Sequence, residues 1–161
     1  MGVMNTNGTP AALTSPAPHT NGVSLVGLAE DLVAAWNAHD PRRVAEFFAE
    51  DYEGDDIGLS NPIHGRRGIR RLVAFTLLGL PDITFELDQV ITQADQLVMV
   101  WRARGTHLGK IMNIPPTQRA VEYRGVTMYT VRDGLITGSL RLWDMAGMLR
   151  QIGLLPELPE L

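Results

Sequence analysis

At Pro81 the spacing of apolar residues changes from helical to alternating, and that switch constrains the fold more than any other feature of the chain. Upstream, Leu25, Leu28, Leu32 and Ala35/Trp36 recur at helical spacing from Ser24 to about His39. Downstream, Ile83, Phe85 and Leu87 alternate with Thr84, Glu86 and Asp88, the period of a strand with one buried face. That strand ends near Thr92. Ala94-Asp95-Gln96 turns the chain into a second strand, Leu97 to about Thr106. Residues 107–118, with Asn113-Ile114-Pro115-Pro116, read as a loop. A third strand runs from about Arg119 to Val131. Asp133-Gly134 then supplies the positive φ angles of a tight hairpin, and Leu135–Trp143 returns as the fourth strand.

Before Pro81, Asp40-Pro41 reads as an N-cap with proline at the first helical position, opening a second helix to about Glu50. Residues 51–64 are acidic and irregular, with room for one short strand. A third helix spans about Gly65 to Leu78, with Ile69, Leu72, Val73, Thr76 and Leu77 on one face. Arg66, Arg67, Arg70 and Arg71 form its opposite face, read as a solvated basic face, with phosphate binding as the alternative. Asp144 caps a closing helix, Met145 to about Ile152, ended by Gly153. Three helices, a four-strand meander and a closing helix predict an α+β domain over 23–153. Residues 1–22 are expected to be a flexible polar arm and 154–161 a tail.

The 161 residues carry a net charge of −4 and no cysteine, which argues against nucleic acid and excludes disulfides and thiolate chemistry. No apolar run is long enough to span a bilayer, and the start lacks a signal peptide's pattern, so the expected location is cytoplasmic. Four histidines without metal-ligand spacing predict no metal. Lys110 is the single lysine, in a polar loop unsuited to Schiff-base chemistry, and no phosphate loop or dinucleotide fingerprint occurs. A cofactor-free protein is left.

A curved sheet with helices on one face encloses a concavity suited to a small molecule. On the third strand Tyr123, Gly125, Thr127 and Tyr129 share a face taken as the inside; on the fourth, Ser139, Arg141 and Trp143 do. An inward arginine needs a partner or a ligand. Each further candidate has a plainer counterpart. Asp144 fits a helix cap as well as an acid, His107 could face the pocket mouth or solvent, and His64 precedes a helix whose dipole favours neutral imidazole. Asp55 and Asp56 could supply a base or be a solvated pair. Trp36 and Trp101 fall at core spacing, and the tyrosines could be amphipathic core.

The run Trp36-Asn37-Ala38-His39-Asp40, then Arg104-Gly105-Thr106-His107-Leu108-Gly109, then Ile114-Pro115-Pro116-Thr117, and Leu142-Trp143-Asp144 with Leu149-Arg150-Gln151-Ile152-Gly153, resembles the SnoaL-like polyketide cyclase family over about residues 25–153. The resemblance implies the conical α+β fold of the nuclear transport factor 2 and ketosteroid isomerase group. It also implies a homodimer or homotetramer, formed through the outer sheet face, and cofactor-free work on a polycyclic polyketide. In the family's cyclases an aspartate on the last strand and a histidine on the preceding one serve ring closure. Here those positions fall on Arg141 and Thr127. Arginine is no base at neutral pH, so the expected enzyme is cyclase-like or hydroxylase-like, the latter with a partner reductase. Its catalytic candidates are Arg141, His107 and Asp144. Its binding candidates are Tyr123, Thr127, Tyr129, Trp143, His64, Asp55 and Trp36. The alternative is a non-catalytic binding module of the same fold.

Overall fold

The computed structural model describes residues 24–159, so the expected arm over 1–22 lies outside the described residues. In chain order the elements are α1 (Leu25–Asn37), α2 (Pro41–Ala45), β1 (Phe48–Asp56), β2 (Ile63–His64), α3 (Gly65–Gly79), β3 (Thr84–Gln93), β4 (Gln96–Thr106), β5 (Ala120–Arg132), β6 (Leu135–Trp143) and α4 (Met145–Gln151). The α+β architecture expected from the period switch is present: one curved six-stranded sheet, ordered β2-β1-β6-β5-β4-β3, with helices packed on its inner face.

Local chemistry explains the boundaries. Ser24 caps α1 by accepting from the Gly27 amide, and Asp40 caps α2 by accepting from the Arg42 and Arg43 amides. The Asp133-Gly134 turn adopts φ of 52° and 78°, as a tight hairpin requires. The asparagine and histidine of Trp36–Asp40 tie the end of α1 to the sheet. Asn37 exchanges two hydrogen bonds with the Phe85 backbone, and the His39 Nε2 lies 2.6 Å from the Ile83 carbonyl oxygen. Gln151 anchors α4 in the same way, accepting from the Glu122 amide and donating to its carbonyl, each at 2.7 Å.

One stretch departs from expectation. The second helix ends at Ala45 rather than near Glu50, and residues 48–56 form a nine-residue strand, where the end of that helix and the start of an irregular acidic segment with room for one short strand were expected. Phe48, Tyr52, Gly54 and Asp56 of β1 turn inward, while Asp51, Glu53 and Asp55 face solvent. The outward acids hide the strand's alternation. β1 pairs in parallel with β6, so the antiparallel meander of β3 to β6 is extended by a parallel neighbour. The core between sheet and helices holds Leu32, Val44, Val73, Ile83, Leu97 and Ile136, all nearly solvent-free.

Candidate functional site

The pairing registers align one row of side chains across the concave face. Asp56 of β1 lies opposite Arg141 of β6, Arg141 opposite Thr127 of β5, and Thr127 opposite Met99 of β4. Each is inward, and each lines one or both of two adjoining cavities of about 40 and 30 Å³. Both cavities are bounded by Trp36, Thr127, Tyr129 and Arg141. Their volume holds a few waters or the edge of one ring.

Arg141 and Asp56 form a buried ion pair. Arg141 Nε lies 3.5 Å from Asp56 Oδ2, with side chains only 14% and 5% exposed. The contact is an ion pair rather than an aligned hydrogen bond. Asp56 Oδ1 accepts from Trp143 Nε1 at 3.0 Å and from the Gly58 amide at 2.9 Å. Three donors or charges thus hold a carboxylate that would otherwise be costly to bury. The guanidinium also stacks on Trp101, 5.1 Å from the ring centroid. Asp56 is its single ion-pair partner among the described residues, and the side chain lines both cavities.

Glycines make room for this arrangement. A Cβ on Gly125 would collide with the Trp101 ring, so glycine lets the indole lie across β5 beneath Arg141. Trp101 Nε1 then donates to Thr127 Oγ1 at 3.0 Å, which explains a small hydroxyl there. A Cβ on Gly54 would collide with the Tyr52 hydroxyl, which bonds Ser139 Oγ at 2.7 Å.

All three tyrosines of the chain belong to this region, and burial raises each phenol. Tyr129 is pushed up to about 12 by desolvation, against the lowering pull of Arg141. Tyr52 is raised by burial and opposed by its Ser139 bond, and Tyr123 is raised by burial and opposed by Arg141. At neutral pH they are uncharged donors, not bases.

Of the residues singled out from the sequence, Arg141, Thr127, Tyr129 and Trp36 meet at the cavities. Asp55 reaches the second cavity from an exposed position at its mouth. Tyr123 and Trp143 pack at a 47° tilt with centroids 5.2 Å apart and line neither cavity, and Trp143 donates to Asp56. The remaining three lie elsewhere. His107 is solvent-free but borders neither cavity; its Nδ1 accepts from the Thr117 amide, and Nε2 has no partner. Exposed His64 stands 4.0 Å from Glu53. Exposed Asp144 is occupied in capping α4, accepting from Gly147 at 2.7 Å. In the sequence Asp56 stands out only as half of an acidic pair, and Tyr52 does not stand out at all. The signal was Tyr52, Gly54 and Asp56 at alternate positions, which puts both polar groups on one face of a strand.

Among the described residues no group of three acidic or histidine side chains could hold a metal, and no helix is long and apolar enough to cross a membrane. No curated protein is detectably similar in sequence. Solved structures are. AclR of Streptomyces galilaeus, named as a candidate hydroxylase, superposes with a TM-score of 0.76 at 23% identity, covering 84% of this chain and 89% of AclR. IdmH of Streptomyces antibioticus, named as a candidate polyketide cyclase, gives a TM-score of 0.71 at 27% identity, covering 81% and 99%. A protein of Catenulispora acidiphila with a ketosteroid isomerase-like fold gives 0.70 at 19% identity, covering 79% and 92%. The family model described as SnoaL-like polyketide cyclase matches residues 27–152, and the chain belongs to that family.

Proposed function

We propose that this protein is a cofactor-free tailoring enzyme for polycyclic aromatic polyketides, in which Asp56 is the base and Arg141 holds the oxyanion. The observation that carries the reading is a buried carboxylate, fixed by Trp143 and Gly58, paired with an arginine that lines the same cavity. Asp56 takes a proton from a carbon next to a carbonyl; the C–H pair becomes an enolate whose oxygen rests on the Nη edge. In ring closure the enolate carbon bonds to a second carbonyl, and the alkoxide recovers the proton from Asp56. Tyr129, kept protonated by burial, donates to either oxygen.

The same reading puts the enzyme in a cytoplasmic antibiotic pathway. It works there as a homodimer or homotetramer, with a partner reductase where the step is a hydroxylation. Met128, Leu140 and Leu142, all exposed on the outer sheet face, support that assembly.

The test is deuterium uptake from D2O into the activated methylene of a naphthol carrying a β-keto ester chain, read by mass spectrometry. Purified protein should exchange it well above the buffer rate. Asp56→Asn should lower the rate by about 10²–10⁴, and Arg141→Ala by about 10²–10³. Saturable binding without exchange would identify a binding module instead. Wild-type exchange in Asp56→Asn would remove Asp56 from the mechanism.

A further inference from the structure

Outside the inner cavities runs an open groove of about 630 Å³ between residues 59–64 and α3. Its walls combine apolar Leu59, Ile63, Leu72 and Phe75 with Arg67 and Arg71. Positions 67, 71 and 75 lie one turn apart on one helical face, so two cations and an aromatic ring stand in line. Phe75 is 71% exposed, and neither arginine has an ion-pair partner among the described residues. Among the described residues no carboxylate lines the groove, although the chain as a whole is acidic. Ile63 and Leu72 also line the inner cavity beside Asp56 and Arg141, so two side chains separate groove from cavity. Residues 1–23 contain no Asp or Glu to match these cations.

We infer that this groove is an outer substrate subsite, which takes the body of a planar aromatic ligand against Leu72 and Phe75 and its carboxylate on Arg67 and Arg71. The inference rests on the aromatic-substrate reading and narrows it. The inner cavities hold only the reacting edge of a polycyclic molecule. The rest must lie outside them, and this groove, about 630 Å³ in volume, shares Ile63 and Leu72 with the inner cavity. The substrate class is therefore an aromatic polyketide that still carries an anionic end remote from its reacting carbonyl.

The probes are anthraquinone-2-carboxylate and its neutral isostere anthraquinone-2-carboxamide, measured by equilibrium dialysis at low and moderate salt. Wild-type protein should bind the carboxylate about tenfold more tightly, the ratio that about 1.4 kcal/mol represents. The preference should shrink as salt rises. Arg67→Ala/Arg71→Ala should lose the preference yet keep its affinity for the carboxamide. Arg70→Ala, on the same helix but lining a different groove, should leave the preference intact. Equal affinity for both probes in the wild type, an undiminished preference in the double variant, or no saturable binding of either probe would overturn the inference. Asp56→Asn should retain the preference while losing deuterium exchange. Absence of exchange in the wild type with the preference intact would count against the catalytic reading alone, and absence of the preference with wild-type exchange intact against the groove alone.

Discussion

Truncating Arg141 removes the only ion-pair partner that the Asp56 side chain has among the described residues. At 3.5 Å and an effective dielectric near 20, the attraction is about 5 kcal/mol. Removing one member of a buried pair costs about 3–5 kcal/mol, because the other charge stays buried. Asp56 keeps its bonds from Trp143 and Gly58, so Arg141→Ala belongs near about 3 kcal/mol in that range. The reverse change should cost less. Arg141 borders both cavities and stacks on Trp101, so in Asp56→Asn its charge keeps water and a π-face; about 1–2 kcal/mol is expected. Urea denaturation of both variants and the double variant gives the measurement, with midpoints compared at unchanged slope. Coupling between the sites should reach about 0.5–3 kcal/mol. Arg141→Ala within about 0.5 kcal/mol of wild type would refute the reasoning, since a surface-like response means that the pair is not desolvated.

Tyrosinate absorbance should appear only above the ordinary phenol range of about 10 in the folded protein, because burial raises all three tyrosines. The sign follows: the unfolded chain loses these protons first, so the stabilisation is complete below pH of about 10 and is lost as pH climbs toward the folded values. A tyrosinate signal in native protein at the ordinary midpoint would contradict the buried site. Thr127→Val should cost about 1–3 kcal/mol in thermal or urea unfolding, because the Trp101 N–H loses its acceptor in a buried place. Thr127→Ser should recover most of that, and equal stability of the two would show that the hydroxyl is not the acceptor. Asp144→Ala should cost about 1 kcal/mol as a lost helix cap and leave deuterium exchange unchanged; a large drop in exchange at wild-type stability would give Asp144 a chemical role.

Where apolar periodicity was strong, the fold was legible before the structure. α1 and α3 and the strands from β3 to β6 begin and end within a few residues of their expected limits, and the turn chemistry of Asp133-Gly134 set the last hairpin. β1 was not legible. Its buried positions are Phe48, Ala49, Tyr52, Gly54 and Asp56, two of them poor strand formers by composition, and a register shift between Phe48 and Glu53 breaks the alternation. Gly54 weakens the signal for a reason visible only in three dimensions, since the Tyr52 hydroxyl occupies the space of a side chain there. The candidate site divides along the same line. Arg141, Thr127 and Tyr129 sit on strands whose inward face could be counted from the sequence, and they meet at the cavities. Asp56 sits on the strand whose face could not, and the parallel pairing that brings it to Arg141 has no local signature.

The departures from the family pattern implied by resemblance are physically linked. An arginine on the last strand cannot be buried without an acid, and the parallel β1–β6 register puts Asp56 directly opposite it. The same guanidinium rests on Trp101, whose indole fits only because position 125 is glycine and whose N–H is satisfied only because position 127 carries a hydroxyl. Arg141, Asp56, Trp101, Gly125 and Thr127 are thus one set, and changing any one leaves a buried charge, an orphaned donor or a clash. Arg141→Asp, taken alone, would not restore an acid-bearing last strand. It would face Asp56 with a second carboxylate in the same cavity, where like charges oppose joint ionisation. A carboxylate is still present in the pocket; it stands one strand over, directly opposite the arginine with which it is ion-paired.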